Sequence, residues 1–328
     1  MATVIAYVFA VLKNAIYGTT IFFTGALSAT VDVLDILALR FLMSLAFFWL
    51  LKVTRVVRIR VGVSDFFKKN PRSGPIHSVL LTALFEPVLY MLFETIGISM
   101  TTGITAGVIL SLGAVTTCIF EIVFLKESCS LLQKLFLGLG IFGAIYIAVN
   151  TGSSNGKDTP LGILFIFLTM VAGSLFSVFS RKSSKSFSAM EITYVSCMLG
   201  AIVFNAVNVV RHLIVGDIVR YFEPYFDFEN MVGFFVLAIL STIVATAMNN
   251  FALSKMQSST MAAFAGISTL VTIAVSVALG GETLRPFHFI GLSFILVRMV
   301  GVSVIAIRRE KKRAFSEAQR ALSQEEPI

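Results

Sequence analysis

Charge is what this chain has least of. Asp, Glu, Lys and Arg make up 13% of its 328 residues, against about 25% in ordinary soluble domains. With 57% hydrophobic residues and a mean hydropathy of +0.90, so little charge excludes a soluble globule and points to a polytopic membrane protein. Cysteine is scarce too: Cys118, Cys129 and Cys197 lack paired or metal-ligand spacing, so neither a disulfide nor a zinc site is expected. The three histidines, His77, His212 and His288, fall at the edges of apolar stretches, which leaves no buried cluster for metal binding or nucleophilic catalysis. A glycine-rich cradle followed by Lys and Ser or Thr is also missing, so ATP is not the evident energy source. An intramembrane enzyme, a third class of function, needs clustered acid, base or nucleophile groups, and none is found.

What is there is a succession of long apolar runs. A helix needs about 20 apolar residues to cross the hydrocarbon core, and that window finds ten spans, near 4–26, 36–57, 76–97, 102–124, 131–150, 161–181, 190–211, 231–253, 258–279 and 287–307. The first run, Val4 to Leu27, exceeds the roughly 7 to 15 apolar residues of a secretory signal and is followed by no small-residue cleavage site, so it reads as a retained helix.

The basic residues orient these spans. With Met1 cytoplasmic, 19 of the 26 Lys and Arg lie in inside segments and four outside, Lys157, Arg211, Arg220 and Arg285. Lys and Arg concentrate on the cytoplasmic side of membrane proteins, so both termini are placed in the cytoplasm of a plasma-membrane protein. The net charge of +8 is accounted for in this way, and nucleic acid is not a partner. The connector VRIRVGVSDFFKKNPRSGP is basic and cytoplasmic, and GSSNGKDTP is a flexible external link. Gly216 to Asn230, mixing aromatics with acids, reads as an external loop or a short surface helix acting as a lid. The polar tail RREKKRAFSEAQRALSQEEPI is helix-prone, and its basic part suits acidic lipid headgroups.

The external link divides the spans five and five. Laying FLKE (Phe124 to Glu127) over LGGE (Leu279 to Glu282), a shift of 155 residues, puts Glu94 on Asn249 and carries the third span onto the eighth. Five spans per copy make the copies enter the membrane from opposite sides, the inverted-repeat plan of many secondary transporters. The expected organisation is a first five-helix repeat at 1–150, an external linker at 151–157, a second repeat at 158–307 and a tail at 308–328.

DILALRF (Asp35 to Phe41), FLKE followed by Gln133 and glycines, and LGGETLRPFHFIG (Leu279 to Gly291) resemble the EamA-type permeases of the drug/metabolite transporter superfamily over nearly the whole chain. That resemblance implies an all-α integral membrane fold, ten transmembrane helices in two inverted five-helix EamA-like repeats. It also implies export of amino acids or other small metabolites. Ala114 and Thr269 stand where the family usually has proline, and Arg298 where it has a late-helix glycine.

Ionisable groups deep in the spans are the candidate site, because a charge at the bilayer centre costs about 2.5 to 3.5 kcal/mol on insertion scales and so faces a partner or a hydrated cavity. Lys13 and Glu86 lie near mid-span. Lys13, Tyr17, Thr20 and Thr24 follow helical spacing and draw one polar stripe along the first helix. Substrate-binding or cavity positions are therefore Lys13, Tyr17, Glu86, Tyr90, Glu94, Asn249, Asn250 and Arg298. Pairing of Arg40 with Glu94 is the candidate outer gate. The competing view of each group is a static ion pair or interhelical glue. Pro87 removes a helix hydrogen bond and kinks the third span beside Glu86, for a substrate contact or hinge or for packing alone. Glu121, Glu127 and Glu282 are assigned interfacial or capping roles.

The function expected from this pattern is a permease that moves a small polar metabolite, such as an amino acid, outward by alternating access. A proton is the candidate coupling ion, lipid is the surrounding partner, and the protein is a monomer or homodimer with no metal and no cofactor. The alternative is a translocator of lipid or lipid-linked headgroups.

Overall fold

The structure, a computed structural model, describes residues 2–55, 57, 59, 76–125, 130–151, 158–256, 258–281 and 286–325. Lys126 and Glu127 of FLKE, Glu282, most of the basic connector after Arg55 and residues 152–157 of the external link lie outside the described residues. Everything regular among the described residues is helical. Among the described residues eight segments are long and apolar enough to cross a membrane, and two shorter apolar helices, Leu131–Gly143 and Ala265–Ala278, fall at the fifth and ninth expected positions.

In chain order the helices are α1 (Ala2–Leu27), α2 (Val33–Val53), α3 (Ile76–Ala83), α4 (Tyr90–Ser99), α5 (Gly103–Ser111), α6 (Gly113–Phe120) and α7 (Leu131–Thr151). The second half holds α8 (Pro160–Ser183), α9 (Ala189–Val215), α10 (Phe228–Phe235), α11 (Thr246–Lys255), α12 (Ser258–Ala263), α13 (Ala265–Ala278) and α14 (Pro286–Glu325). Local chemistry sets several of these starts. Asp32 caps α2, Thr159 caps α8 with Pro160 in its first turn, Ser188 and Glu191 form a capping box on α9, and Asp227 caps α10. Each side-chain oxygen takes a backbone N–H that a helix start leaves unpaired. Gly216 ends α9 with φ +83°, a left-handed conformation that glycine adopts without steric cost.

The repeat is visible in the register of the breaks. α5 and α12 begin at Gly103 and Ser258, and α7 and α14 at Leu131 and Pro286, each pair 155 residues apart. The third and eighth spans are both interrupted by π-helical turns, Leu84–Leu89 between α3 and α4 and Val236–Ala245 between α10 and α11. At the first break Glu86 is extended, φ −140° and ψ 112°, and Pro87 has no N–H to return to the helix. At the second, hydroxyls occupy the displaced carbonyls: Thr242 donates to the Leu237 carbonyl at 2.8 Å and Thr246 to that of Ser241 at 3.2 Å. Broken backbone is tolerated at membrane depth where side chains satisfy it in this way.

α1 runs through the middle of the bundle, touching α4 and α5 of the first repeat and α11 and α13 of the second. Small residues let it approach closely: a Cβ on Gly18 would stand 2.7 Å from the Ser268 carbonyl oxygen, the close packing on which membrane helices depend. α2 packs on α9, α4 on α8 and α7 on α14. One reading of the sequence changes. Cys118 is disulfide-bonded, where spacing alone carried no pairing signature, and Cys197 is a buried free thiol. The connector after α9 folds into two 3-10 turns, Ile218–Arg220 and Glu223–Phe226, anchored where the Tyr221 hydroxyl donates to Asn205 Oδ1 at 2.6 Å.

Candidate functional site

A cavity of about 830 Å³, including its part open to solvent, lies between the repeats, walled by α1, the broken third span, α5, α6, α8, α11, α12 and α13. Lys13, Asn14 and Tyr17 enter it from α1, Glu86, Tyr90 and Glu94 from the third span, and Asn249 from α11. Lys13, Glu86 and Glu94 are each less than a tenth exposed. Helical spacing explains the convergence: Lys13 and Tyr17 are one turn apart on α1, as are Tyr90 and Glu94 on α4. The extended backbone at Glu86 carries that carboxylate out of the helical row.

The polar groups form a connected set. Lys13 Nζ lies 5.0 Å from the Tyr17 ring centroid, a cation–π distance. The Tyr17 hydroxyl is 3.0 Å from Thr246 Oγ1, and the Tyr90 hydroxyl donates to Glu94 Oε1 at 3.1 Å. Lys13, Glu94 and Arg40 are the charges acting on Glu86. Asn14 turns its amide back to the Ala10 carbonyl at 2.6 Å. A second, small pocket lies behind Glu86, lined also by Pro87, Ser196, Cys197, Thr242 and Thr246, so this carboxylate faces space on two sides.

Other expected site residues sit elsewhere. Arg40 is buried and donates from Nε to Thr242 Oγ1 at 2.8 Å and from Nη2 to Ser241 Oγ at 3.0 Å. Glu94 acts on Arg40 as a neighbouring charge. Asn250 joins helices: its Oδ1 accepts from Ser180 at 2.7 Å and its Nδ2 donates to Thr193 at 2.9 Å. Arg298 is fully buried on α14 against Gly140 of α7, outside the cavity lining. Thr20 and Thr24 continue the α1 stripe beyond the lining, and Thr20 donates to the Tyr17 carbonyl at 2.8 Å.

Sequence reasoning overlooked Asn14, Thr246, Ser268 and Thr269. Thr246 had a signal, since it stands one turn before Asn249 on the same helix. Hydroxyls in apolar spans usually bond their own backbone, as Thr269 does to the Ala265 carbonyl, and that habit hides those facing a cavity. Among the described residues no group of His, Cys, Asp or Glu is arranged to hold a metal. An ammonium, two carboxylates, two phenols and two amides around one space suit a small solute bearing both charge and hydrogen-bonding groups.

Known proteins match this architecture. The EamA-like transporter family model matches residues 4–149 and 160–304. An uncharacterized transporter of Bacillus subtilis (strain 168), YcxC, is 29% identical over 315 residues, covering 96% of this chain and 97% of that protein. One solved crystal structure, 18% identical, superposes with a TM-score of 0.64 over 94% of this chain and 98% of its own, a likeness of fold.

Proposed function

The chain belongs to the EamA-like transporter family, and from that membership, which makes it a multi-pass integral membrane transporter rather than an enzyme, we propose that it exports a small polar metabolite such as an amino acid. The observation that carries this reading is the convergence of Lys13, Tyr17, Glu86, Tyr90, Glu94 and Asn249 on one cavity between the repeats. Buried charge next to hydrated space is the signature of a substrate path in membrane proteins.

In this reading Lys13 attracts a substrate carboxylate, while Glu86 and Glu94 receive an ammonium or a coupling proton. The repeats, 1–150 and 158–307, rock about the cavity and expose it to one side at a time. The broken third and eighth spans supply the deformable backbone, since π-helical turns and proline breaks leave fewer helix bonds to disrupt. Arg40 closes the outer approach by holding α2 to the eighth span, with Glu94 nearby. Both termini stay in the cytoplasm of a plasma-membrane protein.

The test is counterflow in proteoliposomes loaded with an amino acid at millimolar concentration. Uptake of the labelled amino acid against an excess of the same unlabelled compound supports the reading. No counterflow with any standard amino acid removes that substrate class. Imposing a pH difference of about two units then separates proton antiport, which accelerates efflux, from passive exchange, which does not respond. A thermal-shift screen supplies an independent readout, because a ligand at about 100 times its dissociation constant adds about 2.7 kcal/mol of stability.

A further inference from the structure

Away from the cavity, at the end of the bundle where α9 stops, one histidine is gripped by two carboxylates. His212, in the last turn of α9, is buried, with Nε2 2.7 Å from Asp35 Oδ1 and Nδ1 2.7 Å from Asp217 Oδ1. Asp35 belongs to the first turn of α2, and Asp217 opens the connector that folds into the two 3-10 turns. A neutral imidazole has one N–H, so it donates to one acceptor and turns a lone pair on the other. Ionised carboxylates have no proton to offer in return. Both contacts are satisfied together when the ring carries two protons.

The surroundings favour that placement of the proton. Around the ring stand Asp35 from α2 and its cap Asp32, Asp217 and Tyr221 from the connector, and Arg211 and Asn208 from α9 itself. Arg211 pairs with Asp32 and, at 3.3 Å, with Asp35 Oδ2. The Asn208 amide donates to Asp35 Oδ1 at 2.8 Å. The guanidinium and the amide thus both aim donors at the Asp35 carboxylate. Three carboxylates against one guanidinium leave an excess of negative charge that a second cation reduces. The Tyr221 ring packs edge-on to His212, centroids 5.3 Å apart. Burial holds the Tyr221 phenol above its ordinary range, so it stays neutral where histidine titrates and does not compete.

We propose that His212, Asp35 and Asp217 form a proton-binding site whose bound proton latches the connector 217–226 onto the start of α2. With the proton in place, one ring bridges α2, α9 and the connector. Without it, the ring keeps one carboxylate and presents a lone pair to the other, and the connector loses a tie. Histidine is the side chain whose charge changes most readily near neutral pH. The latch is therefore closed in acid and released as pH rises and the ring gives up its second proton. Through α2 it bears on Arg40, which is bonded to the eighth span. The site shares no residue with the cavity lining, so its failure would leave the transport reading untouched.

Two measurements on the purified full-length protein test this. Nitrogen-15 NMR of histidine-labelled protein, assigned with His77→Gln and His288→Gln, should find both ring nitrogens of His212 protonated at pH 6. Hydrogen exchange of the peptide spanning 213–226, corrected for intrinsic exchange rates, should show wild-type protection falling at least tenfold from pH 6 to pH 9. His212→Gln and Asp217→Asn should hold that protection low and flat across the same range. A wild-type ring with one N–H at pH 6, or wild-type protection that does not change with pH, overturns the proposal even if neither variant folds. A His212→Gln protein that keeps the wild-type profile also overturns it.

Discussion

The Arg40 guanidinium on α2 donates from Nε to the Thr242 hydroxyl at 2.8 Å, joining the second span to the π-helical break of the eighth. Thr242 passes its own proton to the Leu237 carbonyl, so one hydroxyl serves both the cation and the broken backbone. Thr242→Val removes both bonds at nearly constant volume. Leaving a buried donor and a buried carbonyl unsatisfied costs about 1 to 3 kcal/mol each, and the variant is expected to melt several degrees below wild type in detergent. Arg40→Lys, which replaces a forked donor set with a single point charge, should destabilise as well. An unchanged melting temperature in both variants would mean that this joint contributes nothing to stability.

Lys13 and Glu86 make a functional rather than a structural prediction. Lys13→Ala and Glu86→Gln are each expected to reduce transport in proteoliposomes at least tenfold, with folded yield close to wild type. Both side chains face the cavity. Normal uptake by either variant assigns the pair to helix packing.

The adjacent asparagines separate the two kinds of role within one turn of α11. Asn249 lines the cavity, while Asn250 bridges Ser180 of α8 and Thr193 of α9. Asn250→Ala should lower thermal stability by about 1 to 3 kcal/mol and show it in the melting curve. Asn249→Ala should leave the melting curve in place and weaken substrate binding. The reverse pattern would reassign which amide holds the bundle.

Close approach of helices can be tested at two glycines. A methyl group on Gly18 meets the Ser268 backbone carbonyl and the Val271 side chain of α13, whereas one on Gly138 meets nothing within 4 Å. Overpacking of this kind costs about 1 to 3 kcal/mol, so Gly18→Ala should destabilise. Gly138→Ala should be neutral or slightly stabilising, because alanine favours helix by up to about 1 kcal/mol. Equal melting temperatures for the two variants would deny that α1 is seated this tightly.

Much of the fold was legible beforehand, for a definite reason. A bilayer demands an unbroken apolar run and internal satisfaction of every backbone polar group, and both demands are written locally in the chain. The first run, Val4 to Leu27, the second near 36–57, and the register that lays the third span over the eighth, are therefore readable without coordinates. Tertiary partnership is not local in this sense. Nothing in the spacing of Arg40 and Glu94 foretold that the guanidinium would bond Ser241 and Thr242, some 200 residues away in sequence. The separation of Asn250 from its neighbour Asn249 depended on which face of α11 met α8 and α9. Arg298, marked by its depth alone, lies against Gly140 instead of the cavity lining.

The sequence by itself determined the membrane class, the apolar spans and the twofold repeat, because hydrophobic length and periodicity act within each helix. Only the tertiary structure decided which polar groups share a space: Lys13 and Tyr17 with Glu86 at the cavity, His212 between Asp35 and Asp217 at the end of α9. The physical reason is that a buried polar side chain takes its partner from whichever helix packing brings within about 3 Å, and packing depends on all the faces at once.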